Sequence, residues 1–375
     1  MTGPLPRTVV RHYCPGGREH GGGIGRLVGY IVDSAAGRGA RHVVCDTRGK
    51  RWFPPASLAW LAAASSLMVW DRATTPDRLH HIHVAGRGST LRKLLLCRLA
   101  RTLGCRHALH LHDYDYGADY ARRPAWMKRA IQRMFQGADQ VIVLGQRDWQ
   151  LATDLLAVDP KRVTVLQNCV PDPGPRRGKG SSPPLILFLG RLSARKGVPE
   201  LLTALAHPAM QALEWSAVLA GDGPLEEYAA QAAGLGLSDR VRMPGWLGQD
   251  EVRSLCATAD ILVLPSRAEG LAMAVVEGLA NGIAVVTTRV GAHEEVITDG
   301  LNGLFVPVGD PDALAEAMAG LIVDPDRRAA LASRGRTTFL DRFDMAAYMS
   351  RLQPVYDQAT EAVPALRPTA EGGAA

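Results

Sequence analysis

Short apolar runs alternate with helical stretches along most of this 375-residue chain. Such alternation is typical of crossover connections, which build a parallel sheet covered by helices on both faces. The back half has helical spacing over 198–206, 225–233 and 250–257. The predicted strands are 8–12, 41–45, 80–84, 108–112 and 140–144 in the front half, and 185–189, 217–220, 261–264 and 283–287 in the back half. The sequence therefore predicts two doubly wound α/β domains.

A segment dense in proline, glycine and charge, residues 171–184, separates the two sets of strands. Neither a helix nor a strand accommodates this composition well, so we predict a linker. The chain is also longer than a single hydrophobic core usually supports. We predict a front domain over 1–170, a back domain over 185–343, a C-terminal helix over 344–360 and a disordered tail over 361–375.

The composition is that of an ordinary globular protein, with 47% apolar and 21% charged residues. The longest apolar stretch near the front, residues 57–70, is shorter than the roughly 20 residues that cross a bilayer, and we predict a buried helix there. The first residues lack the layout of a secretory signal. Six cysteines without a CxxC pair favour a reducing cytoplasm over disulfides or a zinc site.

Charge is divided unevenly between the halves. Residues 1–180 hold 28 Lys+Arg and 13 Asp+Glu, a net of +15, while residues 181–375 hold 15 and 24, a net of −9, and together these give the +6 of the chain. A basic front half indicates an anionic partner such as a phosphorylated acceptor or anionic lipid head groups, with general solvation by arginines as the alternative. No aromatic-interleaved basic stripe or zinc-finger spacing supports nucleic acid.

Cations follow the first predicted strand of the back half, where Arg191, Arg195 and Lys196 stand within residues 190–197. Ligands of open α/β sheets bind beyond the carboxyl ends of the strands. Arginine and lysine at that position can hold a pyrophosphate and neutralise the charge that grows on a departing diphosphate. A solvated turn is the alternative interpretation.

Two glutamates flank the start of the helix that follows the strand 261–264. Glu269 lies before the helix and Glu277 lies two turns into it. A helix start favours an anion, and a carboxylate beside it is suited to accept hydrogen bonds from sugar hydroxyls. A carboxylate deeper in the helix can do the same for a ribose. The alternatives are a helix-dipole partner for Glu269 and a surface charge for Glu277.

Two glycine-rich turns precede predicted helices. One contains Gly221, Asp222 and Gly223, and a plain turn also explains it. The other, residues 21–26, follows the first strand, but Arg26 stands where GxGxxG requires its third glycine. A flexible turn is therefore an alternative to a phosphate-binding loop there.

Histidines mark two strand ends of the front half. Alternation in the second of these strands puts His110 and His112 on one face, and His112, nearest the strand end, can face a cleft. Metal binding with Asp113 and a buried structural role are the rival interpretations. The candidates for acceptor contact are His83, Ser89, Arg92, Lys93 and His110, although a solvated helix start explains the basic ones equally well.

The back half resembles the nucleotide-binding domain of the retaining glycosyltransferase family four. The features in register are Gly190-Arg191-Leu192 with Lys196-Gly197, Gly221-Asp222-Gly223-Pro224, Pro265-Ser266, the two glutamates with seven residues between them, and Gly291 to Glu295 before Asp299 to Gly303. The resemblance runs from about residue 185 to residue 325. It implies the GT-B fold, in which two Rossmann-like parallel-sheet domains face a central cleft and the C-terminal helix crosses back to the front domain.

The resemblance also implies roles for individual residues. In the back domain, Arg191 and Lys196 would hold the donor diphosphate, Glu277 the ribose and Glu269 the transferred sugar. The remaining implied donor contacts are the backbone of Gly270, Leu271 and Ala272, the turn with Gly221 and Asp222, the loop with Gly245 and Trp246 near the base, and the front glycines Gly22 and Gly23. His112 would lie beside the transferred sugar. The family often has a phenylalanine near Leu271 and Ala272, so the smaller residues here change the sugar pocket.

The implied reaction is transfer from a UDP- or GDP-sugar with retention of configuration and without a metal or another cofactor. The basic front half and the histidine strand, which is similar to those of exopolysaccharide enzymes, favour a polyprenyl-diphosphate-linked acceptor. The enzyme would then be cytoplasmic and peripheral at the inner face of the membrane. The alternatives are a GT-B enzyme on soluble substrates, such as a disaccharide synthase or nucleotide-sugar epimerase, and a catalytically silent sugar-nucleotide-binding subunit.

Overall fold

The computed structural model describes residues 9–20, 22–36, 41–50, 53–175 and 183–361. Half of the predicted linker (176–182), the predicted tail from residue 362 onwards and Gly21 lie outside these ranges. The predictions made for those residues therefore stay predictions.

The front half forms one six-stranded parallel sheet with the order β2-β1-β3-β4-β5-β6. Its strands are β1 (Val9–Cys14), β2 (Arg41–Asp46), β3 (Leu79–Val84), β4 (His107–Leu111), β5 (Gln140–Val143) and β6 (Val163–Val165). The helices between them are α1 (Gly17–His20), α2 (Gly22–Ala36), α3 (Pro54–Thr74), α4 (Arg87–Leu103), α5 (Tyr116–Ala121), α6 (Ala125–Gln136) and α7 (Gln146–Gln150). The five strands predicted from apolar runs are confirmed.

The back half forms a second six-stranded parallel sheet with the order β12-β11-β10-β7-β8-β9. Its strands are β7 (Leu185–Leu189), β8 (Ser216–Ala220), β9 (Val241–Gly245), β10 (Ile261–Leu264), β11 (Ala284–Thr288) and β12 (Leu304–Val306). The sequence pattern missed the two edge strands. β9 alternates exposed and buried residues and contains a proline, which edge strands tolerate, and β12 has only three residues.

Helices cover both faces of the back sheet, as the predicted crossovers require. They are α8 (Val198–Leu205), α9 (Pro208–Gln211), α10 (Leu225–Gly234), α11 (Gln249–Thr258), α12 (Met273–Ala280), α13 (Pro311–Val323) and α14 (Pro325–Arg342). Every residue of β7, β10, β11 and α12 is buried. The two-sheet α/β architecture predicted from the sequence is confirmed.

The last helix, α15 (Met345–Glu361), packs on the front half rather than the back half. Its buried face, which includes Tyr348 and Leu352, joins one apolar cluster with Val10 of β1 and Ile31 of α2. The Tyr356 hydroxyl lies 2.8 Å from His81 Nδ1 of β3. The chain therefore returns from the second sheet to brace the first.

Helix α3 differs from the sequence prediction in its burial. The apolar stretch 57–70 is helical as predicted, but the prediction of a buried helix is wrong. Only a narrow stripe that includes Leu61, Ala64 and Met68 is buried. The exposed apolar side chains on α3 and the neighbouring α4, here called the α3/α4 apolar surface, are Leu58, Trp60, Leu67, Val69, Trp70, Leu91 and Leu95. In the described part of the chain, no helix combines the length and apolar character that a membrane span requires.

Candidate functional site

The loops after β7, β10 and β11 pack tightly against one another at the carboxyl edge of the back sheet. Gly197 has a φ of +74°, and a Cβ there would lie 2.1 Å from the carbonyl oxygen of Pro265. Gly291 has a φ of +56°, and a Cβ there would lie 2.1 Å from the carbonyl oxygen of Glu269. Because any larger residue would clash at both positions, glycine lets three strand-end loops converge around Glu269.

Glu269 is the centre of this convergence. It is only 7% exposed, and its Oε1 lies 2.5 Å from Lys196 Nζ and 3.2 Å from Arg195 Nη1. Ser266 Oγ also donates to this oxygen over 2.9 Å. Burial alone would raise the pKa of Glu269, but the two cations together hold that pKa below its usual value. The side chain is therefore an ionised hydrogen-bond acceptor.

The turn between Glu269 and α12 is supported from the β11 side by His293. The backbone N–H of Ala272 donates to His293 Nε2 over 3.4 Å, and His293 Nδ1 lies 3.1 Å from Thr287 Oγ1. Burial lowers the pKa of His293, so the ring is neutral and can accept this hydrogen bond. One of the backbone donors predicted for the donor sugar is thus engaged within the protein.

Glu277 lies on α12 and reaches across to the front half. Its Oε1 forms an ion pair of 2.6 Å with Arg26 Nη1 of α2. Its Oε2 is buried and has no hydrogen-bond partner among the described residues. The glycine loop approaches the same helix, since a Cβ added at Gly23 would lie 3.5 Å from Met273 Cγ. The start of α2 and the start of α12 therefore face one another.

His112 follows β4 and also meets the back half. A Cβ added at Gly270 would lie 3.7 Å from the carbonyl oxygen of His112. Two residues further on, the ring centre of Tyr114 lies 4.5 Å from Arg195 Cζ. The carboxyl end of a front strand thus contacts the loop that carries Glu269.

Six histidines, including His112 at the strand end, line one face of the front sheet. They are His12, His42, His81, His83, His110 and His112. His112 Nε2 lies 2.9 Å from His83 Nδ1, and burial lowers the pKa of His112 to about 3. Burial likewise lowers the pKa of His83 and His110 well below the usual value. These six histidines, here called the histidine column, are therefore neutral imidazoles at neutral pH.

A crevice of about 520 Å³ opens beside Glu269, between α7 and the loops after β10 and β11. Three arginines line it, namely Arg147 from the front half and Arg267 and Arg289 from the back half. Arg267 pairs with Glu200, and Arg289 pairs with Glu294 and Asp299. The crevice is thus polar and is shared by both halves.

Several residues predicted for the acceptor lie away from the crevice. Lys93 is fully buried, and its Nζ donates to Thr47 Oγ1 over 2.7 Å, so it is not placed to contact an acceptor. His83 and His110 are fully buried behind His112. Ser89 Oγ accepts from the Ala85 backbone N–H at the end of β3. Arg92 is half-buried, and its Nε has no partner among the described residues.

The predicted donor residues fall into two groups. The structure brings Lys196, Glu269, Gly270, Leu271, Ala272 and Glu277 together with Gly23 and His112. Arg191, Asp222 and Trp246 are exposed, and Gly22 is exposed at the start of α2. Gly221 packs against the loop after β7, because a Cβ there would overlap the carbonyl of Gly190, and Gly245 ends β9.

Sequence reasoning missed three residues of this site: Arg26, Tyr114 and His293. Arg195 was predicted as one cation of the basic loop, but its ion pair with Glu269 was not. Arg26 was noted only as the residue that breaks a glycine pattern. No spacing rule in a single sequence connects it to a glutamate 251 positions later.

Two facing parallel sheets with a crevice at their carboxyl edges, braced by a returning helix, define the GT-B class of transferase folds. Among solved structures, sucrose-phosphate synthase from Thermosynechococcus elongatus superimposes with a TM-score of 0.78 at 18% identity, covering 95% of this chain and 100% of that one. Anabaena Alr3699/HepE in complex with UDP gives a TM-score of 0.71 at 18% identity, covering 93% and 99%. At such identities these similarities show the fold alone.

Residues 175–338 match the family described as glycosyl transferases group 1. The lipopolysaccharide core biosynthesis glycosyltransferase LpsE of Rhizobium meliloti is 36% identical over 165 residues, which are 44% of this chain and 47% of that protein. A GDP-mannose-dependent phosphatidylinositol monomannoside mannosyltransferase of Mycolicibacterium smegmatis is 28% identical over 310 residues, covering 76% and 78%. The 2-deoxystreptamine N-acetyl-D-glucosaminyltransferase of Streptomyces fradiae is 27% identical over 310 residues, covering 76% and 72%.

The chain spans about half the length of several of the curated relatives that it matches, including the Rhizobium protein. The domain that matches over residues 175–338 is thus one described for glycosyl transferases, and the named relatives are glycosyltransferases.

Proposed function

We propose that this protein is a retaining glycosyltransferase that moves a sugar from a nucleotide-sugar donor to a saccharide carried on a polyprenyl diphosphate, in bacterial polysaccharide biosynthesis. The observation that carries the proposal is the position of Glu269. This carboxylate is buried and ionised between Lys196 and Arg195, and the next residue, Gly270, faces the carbonyl of His112. Cations for a diphosphate and an acceptor for sugar hydroxyls are therefore adjacent at one edge of the back sheet.

The donor fits along the edge of the back sheet. Lys196, with Arg191 on the exposed side of the same loop, would neutralise the diphosphate, and the start of α12 would add its dipole. The unpartnered Oε2 of Glu277 is an acceptor ready for a ribose hydroxyl. Glu269 and the backbone of Gly270 and Leu271 would orient the transferred sugar.

The retaining mechanism follows from which groups can take a proton. Glu269 is tied to two cations and a serine hydroxyl, so it is a poor general base. A front-face substitution avoids this difficulty, because a donor phosphate oxygen receives the proton of the attacking acceptor hydroxyl as the bond between sugar and phosphate breaks. The protein then contributes positioning and charge stabilisation, and the transfer needs no metal.

Two surface features support an anionic, lipid-linked acceptor: the arginines of the crevice and the α3/α4 apolar surface. Arg147, Arg267 and Arg289 line the crevice where an anionic acceptor would approach. The α3/α4 apolar surface exposes Trp60 and Trp70, and the exposed cations Arg98 and Arg101 lie on α4. Tryptophan and arginine together favour the interface of an anionic membrane. We therefore place the protein at the cytoplasmic face of the membrane, where a lipid-linked acceptor would be presented.

The relatives name acceptors of both kinds. LpsE and the phosphatidylinositol mannosyltransferase carry names of lipid-linked products, which agrees with the proposal. The similarity to a 2-deoxystreptamine glycosyltransferase over 310 residues favours a second candidate, transfer to a small soluble acceptor.

The deciding experiment pairs a donor screen with product analysis. A thermal-shift screen of UDP-, GDP- and ADP-sugars identifies the donor, and the labelled donor is then incubated with lipid-extracted or water-soluble acceptors. Label in the lipid fraction, in the same anomeric configuration as the donor, supports the proposal. Label only in a soluble product selects the second candidate, and release of a free epimerised sugar nucleotide would refute both.

A further inference from the structure

The histidine column on the front sheet contains five histidines besides His112, and the proposed transfer reaction assigns no role to them. His12 on β1 is in register with His81 on β3, and His83 on β3 is in register with His110 on β4. The rings of His110 and His112 are the nearest pair, with centroids 3.9 Å apart. Among the described residues, the polar contacts of these rings join one imidazole to another, apart from the contact with the Tyr356 hydroxyl.

One buried ring nitrogen in the histidine column has no hydrogen-bond partner among the described residues. His110 Nδ1 faces His81 Nε2 at 3.3 Å, whereas His110 Nε2 is buried without a hydrogen bond to any described residue. Burying a polar atom without a hydrogen-bond partner is unfavourable. His80 is a buried histidine outside the column. Unlike His110 Nε2, its Nδ1 has a hydrogen-bond partner, the Tyr13 hydroxyl at 3.0 Å.

His110, which carries the unpartnered nitrogen, belongs to a compact group of three histidines. His83, His110 and His112 each offer one ring nitrogen, and these three atoms lie within 4.8 Å of one another. Zinc binds histidine nitrogen at roughly 2.0–2.1 Å in tetrahedral geometry, which separates neighbouring ligand nitrogens by about 3.4 Å. Small ring rotations would therefore seat an ion among them.

In both His83 and His110, one ring nitrogen contacts a histidine outside the group of three. His83 Nε2 lies 3.1 Å from His12 Nδ1, and His110 Nδ1 is held by His81. His81 is fixed in turn by the Tyr356 hydroxyl of α15. A hydrogen bond on the far nitrogen is what orients metal-binding histidines in proteins.

A second histidine group, His12, His81 and His83, is equally compact. Both nitrogens of each of its rings already have partners, and all three side chains are fully buried. The group with His110 differs in two ways: one of its residues carries the unpartnered nitrogen, and His112 is partly exposed. An ion could therefore enter that group from the exposed side of His112.

We propose that His83, His110 and His112 form a binding site for one divalent transition-metal ion of the Zn²⁺, Co²⁺ or Ni²⁺ type. Three neutral imidazoles suit these borderline ions and not Mg²⁺ or Ca²⁺, which prefer oxygen ligands. They leave a tetrahedral ion one position for water or an anion. The carboxylate nearest in sequence, that of Asp113, contacts Gly86 in the loop after β3.

This site goes beyond the proposed transfer reaction and does not depend on it. His112 already turns Nε2 inward to His83 over 2.9 Å, so the ring has the same orientation with or without an ion. Binding is therefore measured directly rather than through activity.

The test uses the tag-free full chain, treated with a chelator and then dialysed. Titration with Co²⁺ should give the visible absorption of a tetrahedral nitrogen-ligated ion, saturating at one ion per chain. Zn²⁺ should abolish this absorption, and excess Mg²⁺ should not. Absence of the absorption in the folded wild-type protein would overturn the proposal.

Two variants assign the residues. His110→Gln should weaken Co²⁺ binding by more than about tenfold, since loss of a ligand costs at least as much as loss of a ligand's hydrogen-bond partner. The matched control His80→Gln alters a buried histidine outside the group and should bind as the wild type does. If His110→Gln does not fold, His112→Gln at the partly exposed strand end replaces it. Unchanged affinity in the folded variant would reject these ligands.

Discussion

Arg26 of α2 and Glu277 of α12 form an ion pair of 2.6 Å that connects the front half of the molecule to the back half. The pair occupies one oxygen of a carboxylate whose other oxygen is buried without a partner in the described structure. Arg26 therefore holds Glu277 in place at the edge where we expect the donor ribose. A ribose hydroxyl would complete the hydrogen bonding of this carboxylate.

Replacing Glu277 by glutamine should weaken donor binding. The amide keeps the size of the side chain but loses the charge-assisted hydrogen bonds to Arg26 and to the ribose, so the Kd for UDP or GDP should rise by about tenfold or more. Isothermal titration calorimetry measures this change directly. Glu226→Gln, an exposed change on α10, is the matched control. An unaltered Kd in Glu277→Gln would remove Glu277 from the donor site.

Lys196→Ala should cut turnover by about a hundredfold or more, the usual effect of removing one preorganised group that stabilises developing charge. Lys196 Nζ lies 2.5 Å from Glu269, so its charge is fixed beside the reacting centre. Initial rates with a labelled donor give the measurement, and Lys161→Ala, at an exposed position of the front half, is the control. Wild-type turnover in Lys196→Ala would show that Lys196 does not stabilise the departing diphosphate.

Transfer should continue when divalent ions are removed. In the proposed mechanism Lys196, with Arg191 of the same loop, supplies the positive charge at the diphosphate, so no ion is needed there. Rates in excess chelator are expected to match rates without it, even if the histidine site loses an ion. Loss of activity that only Mn²⁺ or Mg²⁺ restores would contradict the metal-independent mechanism.

The buried His80 should make stability depend on pH. Burial lowers the pKa of His80 to about 4, against about 6.5 in an unfolded chain. Below about pH 6.5 the unfolded state takes up a proton that the folded state does not, so the free energy of unfolding falls by about 1.4 kcal/mol per pH unit. This loss continues down to about pH 4 and is absent above about pH 6.5.

His80→Gln removes this titration while keeping a polar partner for Tyr13. Urea unfolding of both proteins should show the wild type losing about 2–3 kcal/mol relative to the variant between about pH 7 and about pH 4.5. The comparison cancels the other titrating groups, such as Asp148, whose pKa burial raises to about 6. Parallel pH profiles would mean that His80 takes up a proton as readily in the folded protein as in the unfolded chain, so that its pKa is not lowered.

The sequence predicted the sheets well because buried parallel strands are near-continuous apolar runs, as in β10 (Ile261–Leu264), whose every residue is buried. It predicted Lys196 and Glu269 at strand ends because open α/β sheets collect ligands there. It did not predict which oxygen meets which cation, since that depends on loops that only Gly197 and Gly291 allow to approach.

Contacts between residues of the two halves could not be predicted from local sequence patterns. The Arg26–Glu277 pair and the contact of His112 with Gly270 join residues separated by more than a hundred positions. The burial of α3 was mispredicted for a related reason. Its apolar residues cover the whole helix circumference, and periodicity cannot show that only the stripe with Leu61 and Met68 finds a partner.

The α3/α4 apolar surface gives the final prediction, that the protein binds anionic membranes through it. Trp60 is 44% exposed and Trp70 is 65% exposed, and aromatic side chains of this kind favour the membrane interface. The wild type should sediment with phosphatidylglycerol vesicles at low salt and be released as salt screens the basic residues. Trp60→Ser with Trp70→Ser should remain in the supernatant, whereas Val323→Ser with Leu340→Ser, which alters exposed apolar residues of the back half, should sediment normally. Equal sedimentation of the two double variants would show that the tryptophans do not contact lipid, and failure of the wild type to bind would leave the soluble acceptor as the better proposal.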